Sequence, residues 1–347
     1  MKPLNTGLRA QLIIWLFIGC FLVFAMVVVG GITRLTGSGL SITEWKVITG
    51  TIPPMNETAW QEEFLKYQQI PQFKEMNSHF TLEDFKFIYF WEYIHRLIGR
   101  MIGLVFLIGF VYFKLKNAIS KELMPRLLFM FVLGGIQGFL GWYMVSSGLT
   151  QNIRVSHIRL AIHLTFAFIT FGYIFWVAMT ELSGKKIESK AELSKYKFAI
   201  NSMLVLVILQ VIYGAFVAGT KAGWVYNTWP MMDGQWMHES ISFAFQKEGI
   251  MSLVDNLASV QFIHRNLAYI ITAIAILLWY NVDKEKSLTV KQKNATKTLL
   301  LIVFCQVLLG IFTLLSSVPV WMGVTHQALA FFLFAGTINL LHKLSYN

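Results

Sequence analysis

Residues 92–96 read Glu92-Tyr93-Ile94-His95-Arg96, and residues 261–265 read Gln261-Phe262-Ile263-His264-Arg265. Each pentapeptide opens an apolar stretch long enough to cross a bilayer, so the chain repeats itself. Two later histidines, His163 and His326, occupy matching places in apolar stretches of their own. Each half of the repeat therefore carries a pair of imidazoles inside segments of lipid-like composition.

The surrounding composition agrees. Of 347 residues, 56% are hydrophobic and only 14% charged, which is far from ordinary soluble composition. Eight stretches approach or exceed the roughly 20 apolar residues that a helix needs to span ~30 Å of hydrocarbon. They cover residues 12–32, 90–113, 127–145, 157–180, 198–219, 260–280, 298–318 and 320–341. The expected fold is an all-α integral membrane protein whose eight transmembrane helices form two pseudo-symmetric four-helix bundles. Lys2 and Arg9 precede the first apolar run as in a signal peptide, but the run is too long and lacks a small-residue cleavage site, so it reads as retained.

The net charge of +11 does not point to nucleic acid, because the basic residues gather in short connections between spans. Lys114, Lys116, Lys121 and Arg126 lie in one such connection, and Lys185, Lys186, Lys190, Lys195 and Lys197 in a second. Lys284, Lys286, Lys291, Lys293 and Lys297 lie in a third. The positive-inside rule makes these connections cytoplasmic and, with an even number of spans, both termini as well. The long segments 34–89 and 220–259 then face outward. Cys20 and Cys305 fall within spans and read as small core-packing residues, with no disulfide framework implied.

Sliding the second half over the first brings His95 onto His264, Arg96 onto Arg265, Gln137 onto Gln306 and Gly141 onto Gly310. A larger offset aligns Gly30 with Gly214, Thr36 with Thr220, Gly39 with Gly223 and Trp45 with Trp229. A smaller one aligns His163 with His326 and Ala167 with Ala330. The halves run from residue 1 to 194 and from 195 to 347. An even number of spans in each gives both the same orientation, as in parallel-repeat membrane folds.

All four histidines are expected at similar depth, near the outer leaflet. Within one half, a histidine on the second span can face one on the fourth across the bundle interior, which is the arrangement that ligates a haem iron from both sides. An ionisable residue inside a membrane is costly and marks function by default. Zinc is a weaker alternative, since it wants further ligands nearby. His79 and His238 in the outer segments and His342 at the cytoplasmic end read as solvated. His157, flanked by Arg154 and Arg159, reads either as a propionate contact or as an interfacial cap.

Arg96 and Arg265 each follow a histidine, where a guanidinium can grip a haem propionate bidentately or snorkel toward the outer headgroups. The informative departure from symmetry is Glu92, one helical turn before His95, where the other half has Gln261. A site that only holds a haem has no need of a titratable group, whereas a site that oxidises a bound substrate must move protons or stabilise positive charge. The first half is thus the expected seat of chemistry and the second the holder of a cofactor. The alternative for Glu92 is an interfacial carboxylate in water or paired with Arg96. The tract Gly37-Ser38-Gly39 is no nucleotide loop, as no strand precedes it, and reads as close backbone approach at a helix end.

Taken in order, the residues Gly30-Gly31-Ile32-Thr33-Arg34-Leu35-Thr36-Gly37-Ser38-Gly39-Leu40, Glu92 to Arg96, Arg159-Leu160-Ala161-Ile162-His163, Phe262 to Arg265 and His326-Gln327 resemble the haem A synthase family over nearly the whole chain. The resemblance implies oxidation of one methyl group of haem O, through an alcohol, to the formyl group of haem A for cytochrome oxidase. It further implies a resident haem B on His264 and His326, the substrate on His95 and His163, and Glu92 beside it as an essential carboxylate. Segment 34–89 contains no cysteine, so the chain is similar to the mitochondrial and proteobacterial type and cannot use loop thiols as a redox relay.

Expected partners are haem O synthase, cytochrome oxidase assembly factors, an electron donor and membrane lipid. A homo-oligomer is allowed, and the expected location is a bacterial inner membrane with the haem sites toward the outer side. The rival from another class is a two-haem bis-histidine electron carrier of cytochrome b type. A two-repeat transporter is a third reading, disfavoured because interrupted helices at mid-membrane are not evident.

Overall fold

The computed structural model describes residues 6–45, 49–150, 153–183 and 191–346. Lys2, Lys185, Lys186 and Lys190, on which part of the charge argument rests, lie outside them. Among the described residues the chain is helical, and eight of its helices are long and apolar enough to cross a membrane. These are α1 (Thr6–Leu35), α3 (Leu82–Leu115), α4 (Leu123–Thr150), α5 (His157–Leu182), α6 (Ala191–Thr220), α9 (Leu257–Lys284), α10 (Val290–Leu315) and α11 (Val320–Lys343). The short helices α2 (Glu57–Tyr67), α7 (Glu239–Glu248) and α8 (Ser252–Asp255) lie in the two long connections.

Several helices outrun the apolar stretches that announce them. The α3 helix starts well before residue 90, because Thr81 and Asp84 form a capping box that satisfies the first free N–H groups. A second box, Thr289 with Gln292, starts α10 in the same way. Polar ends with their own caps extend a helix beyond the hydrocarbon, where hydropathy no longer reports it.

The chain divides into two compact units, Met1–Thr170 and Phe171–Asn347, with the boundary inside α5. In the second unit α6 packs on α9, α9 on α10, α10 on α11 and α11 back on α6, closing a four-helix ring. In the first, α1 packs on α3 and α3 on α4. Lipid tails are as apolar as leucine, so such helices associate through close packing and not by expelling water. At Gly109 a Cβ would stand 2.1 Å from Trp15 Nε1, so the indole occupies the room a side chain on α3 would need. The same indole donates to Val105 O at 3.1 Å. Gly109→Leu should therefore displace Trp15 and cost about 1–3 kcal/mol or more, read as a lower unfolding temperature in detergent.

The first long connection folds as a cap. Leu40, Phe64, Tyr67, Ile70, Phe85, Ile88, Tyr89 and Val145 form one buried cluster that fixes α2 on the N-terminal end of α3. Tyr67 is fully buried, accepts from Asn77 Nδ2 at 2.7 Å and donates to Gln72 Oε1 at 3.3 Å. Burial pushes its phenol up to about 12. A raised folded-state value means the cap is stabilised below the ordinary tyrosine range and loses that contribution as pH rises toward 12. Tyr67→Phe should loosen the cap by about 1–3 kcal/mol through the partners it strands, and should blunt the alkaline rise in protease cleavage within residues 49–80.

Two expectations about burial fail. Cys305 is exposed, unlike buried Cys20, because α10 turns that face away from its neighbours. His342 is only 1% exposed: it stacks on Tyr346 at 4.4 Å, meets the edge of Trp176, and lies 3.3 Å from Thr180 Oγ1. His79 is exposed as expected, whereas His238 is half-buried and caps α7 through Ser240 N–H.

Candidate functional site: two histidine pairs

Each histidine is placed by a glycine on the helix before it. A Cβ at Gly30 of α1 would lie 2.9 Å from His95 Cε1, and one at Gly141 of α4 would lie 3.2 Å from His163 Cε1. In the second unit the corresponding distances are 3.3 Å from Gly214 to His264 and 2.8 Å from Gly310 to His326. Absence of a side chain at these four positions brings the preceding helix against the ring edge. His95 and His163 lie close enough for their charges to interact, as do His264 and His326. The sequence-expected pairs are thus brought together, one pair per unit.

All four rings are half-buried, and His95, His264 and His326 each bury an Nδ1 with no hydrogen-bond partner. An orphaned polar atom of this kind costs on the order of 1–3 kcal/mol. Glycine-cradled imidazoles in neighbouring pairs fit a haem, whose porphyrin supplies the remaining ligands and leaves two positions for histidine. Among the described residues no group of three or more His, Cys, Asp or Glu side chains converges, so the donor set does not suit a zinc centre.

A glutamine four residues before the glycine adds a second contact at three of the four histidines. Gln137 Nε2 donates to His163 O at 3.2 Å and lies 3.3 Å from a ring nitrogen. Gln210 does the same for His264 at 3.1 and 3.3 Å, and Gln306 for His326 at 3.1 and 3.4 Å. Gln210 was not among the sequence candidates, although its spacing from Gly214 repeats that of Gln137 from Gly141 and of Gln306 from Gly310. At His95 the equivalent position is Met26.

Glu92 is 3% exposed and fully engaged. Its Oε2 accepts from Ser41 Oγ at 2.8 Å and from Ile42 N–H at 2.9 Å, while Oε1 accepts from Arg96 at 2.6 Å. Arg96 also donates to Ile42 O and Glu44 O, both at 2.8 Å, and lies over the Trp45 ring. In the second unit Arg265 donates to Gln261 Oε1 at 2.6 Å and to Tyr226 O at 2.7 Å, while Gln261 Nε2 donates to Ala222 O at 2.8 Å. Tyr226 is the repeat partner of Ile42, so the arginine ties recur in both halves, whereas Glu92 accepts from Ser41 and Ile42 and Gln261 donates instead to Ala222 O. Both arginines tie a long connection to the helix that bears the histidine, a role that sequence alone did not show.

The glycine tract that precedes this framework behaves as expected. Gly37 has φ +71 and ends α1, with Ser38 N–H returning to Thr33 O at 2.9 Å. Lys221 takes the equivalent left-handed position, at φ 62, in the second unit. His157 begins α5, and Arg159 donates to Tyr143 O and lies over the Tyr143 ring.

A helical membrane protein with two glycine-backed histidine pairs, one of them beside a buried carboxylate, belongs to the class of membrane haem proteins with internally repeated bundles. Comparison narrows the class. The chain belongs to the COX15–CtaA family of cytochrome oxidase assembly proteins, the haem A synthases, whose family model matches residues 13–338. It is 49% identical to a heme A synthase of Flavobacterium psychrophilum over 96% of this chain and 98% of that one. It is 47% identical to the heme A synthase of Flavobacterium johnsoniae over the same shares, and 44% identical to that of Parvibaculum lavamentivorans over 98% and 96%.

Proposed function

We propose that the two histidine pairs divide one reaction between them, the pair His95 and His163 holding the substrate and the pair His264 and His326 a resident haem B. The protein is a membrane oxidoreductase that converts haem O to haem A, in keeping with its family and its heme A synthase relatives. The observation that carries the division is the buried carboxylate of Glu92, paired with Arg96, at the position where the second half places the neutral amide of Gln261 against Arg265.

In this reading residues 1–194 form the substrate half and residues 195–347 the resident-haem half. His95 and His163 would hold the substrate porphyrin and so orient its methyl group. Glu92, one turn from His95, sets a negative charge beside the reacting edge, where oxidation of methyl to hydroxymethyl and then to formyl releases protons and draws electrons away. Arg96 and Arg265 stand at the two bundle mouths, where they hold the outer connections and can meet haem propionates. Bound at His264 and His326, haem B supplies one-electron transfer.

The clustered lysines support an orientation with both termini in the cytoplasm and the histidine pairs toward the outer side of a bacterial inner membrane. Haem O synthase and cytochrome oxidase assembly factors are the partners such a pigment relay requires, with an electron donor and an assembly of more than one copy also allowed. The test is to express the chain with a source of haem O, extract its pigments and separate them with mass detection. Haem B together with haem O or its hydroxylated or formyl products is expected; haem B alone at two per chain would instead make the protein an electron carrier.

A further inference from the structure

Beyond Glu92, the two halves differ in charge a second time. The last turn of α1 carries Arg34, whereas its repeat partner near the end of α6 is Ala218. The connection into α5 carries Arg154, and α5 itself opens with His157 and Arg159. The matching connection, Ser316 to Pro319, holds no charge, and α11 has Val320 and Met322 at the places of His157 and Arg159. At these places one half gathers basic side chains and the other has none.

The arginines of the first half are not equivalent. Arg159 donates to Tyr143 O at 2.8 Å and to Ser146 Oγ at 3.3 Å, and it lies over the Tyr143 ring. Arg96 spends its Nη2 on Ile42 O and Glu92 and its Nη1 on Glu44 O, which leaves it no edge for bidentate grip of a further carboxylate. Arg34 and Arg154 stand differently. Arg34 is half-buried, and the charge that bears on it is the like charge of Arg154. Arg154 is exposed, and no carboxylate among the described residues pairs with it. Neighbouring guanidiniums repel unless an anion comes between them.

Their position points to the kind of anion. Arg34 follows Gly30 by four residues, on the same face of α1 and about 6 Å of helix rise further on. Gly30 is the residue whose Cβ would stand 2.9 Å from the His95 ring. A guanidinium there suits the carboxylates that a porphyrin carries on its edge. Ligation through iron fixes the centre of a porphyrin but leaves it free to turn in its own plane. Electron transfer tolerates such turning, whereas oxidation of one methyl group among several does not. We propose that Arg34 and Arg154 clamp the carboxylates of the porphyrin substrate, and so fix which of its edges faces Glu92. The inference rests on the assignment of the substrate to His95 and His163.

Esterification tests the clamp, because the dimethyl ester of haem O keeps the iron and every methyl group but loses both negative charges. Haem O and its dimethyl ester are titrated into the full-length protein containing haem B and followed by absorbance. The wild type should bind the free acid about ten- to a hundredfold more tightly, the worth of one charge-assisted hydrogen bond. In Arg34→Gln that preference should nearly vanish through weaker binding of the acid alone, with the ester bound as in the wild type. Arg154→Gln, on an exposed connection, should do the same, and it carries the test if Arg34→Gln fails to fold.

A wild type without the preference, variants that keep it in full, or variants that weaken acid and ester alike would each overturn the proposal. Full preference in both variants would leave the arginines to another anion, such as a lipid phosphate. The double variant His95→Ala with His163→Ala separates this failure from that of the substrate assignment. Binding of haem O that survives there overturns the assignment; binding lost there, with the preference untouched by the arginine changes, overturns the clamp alone.

Discussion

Glu92→Gln yields a protein that folds, retains haem B and makes no formyl product. The loss in the rate of haem O oxidation should be about 10²-fold or more, the scale of a missing acid–base or charge-stabilising group. The substituted amide keeps one oxygen, so it can accept from Arg96 or from Ile42 N–H but not from both, and it removes the charge that Arg96 faces. Loosening of the long connection that holds Ser41 and Ile42 would then add to the effect. Ser41→Ala separates the two contributions, since it deletes one bond from Glu92 Oε2 while leaving the carboxylate in place. A small loss in Ser41→Ala beside a large one in Glu92→Gln assigns the effect to the charge; equal losses would reduce Glu92 to a tether. Gln261→Glu should change turnover far less, because in the proposed division the second site holds haem B without transforming it.

Filling the glycine cradles should have comparably large and opposite consequences in the two halves. A Cβ at Gly310 would lie 2.8 Å from His326 Cε1 and one at Gly30 would lie 2.9 Å from His95 Cε1, closer than side chains approach without displacement. Gly310→Val should push His326 off its axis and strip the resident haem B, leaving a protein without a low-spin bis-histidine spectrum at that site. Gly30→Val should leave haem B in place and abolish binding of haem O. Pigment content per chain reads both. Retention of both haems in both variants would show that the rings can give way and that the glycines are there for helix packing alone.

The spanning helices, the repeat and the four histidines were legible because each rests on a local signal: apolar run length, recurrence of a short motif, and a rare residue type in lipid. What stayed hidden depends on which face of a helix meets a neighbour. In a soluble helix the polar face reveals this, but on a spanning helix both faces are apolar, so nothing in the pattern separated exposed Cys305 from buried Cys20. His342 looked like a solvated end because the aromatic pocket of Trp176 and Tyr346 is assembled from residues far apart in sequence.

The same limit hid the network around Glu92. Its partners Ser41 and Ile42 come from a long connection whose course no periodicity predicts, and Arg96, read as a propionate grip, a headgroup contact or a partner of Glu92, is paired with Glu92 and also tied to two main-chain carbonyls. Gln210 and Met26 were findable in principle, since each lies four residues before a glycine of the aligned repeat. Their meaning emerged only once those glycines were seen against the histidine rings.

The division of labour between the histidine pairs is tested most directly by pigment analysis of two double variants, His95→Ala with His163→Ala and His264→Ala with His326→Ala, each expressed with a source of haem O. The first should retain haem B and contain neither haem O nor its oxidised products, and the second should lose haem B. Loss of haem B from the first variant, with its retention in the second, would contradict the assignment and exchange the roles of the two sites.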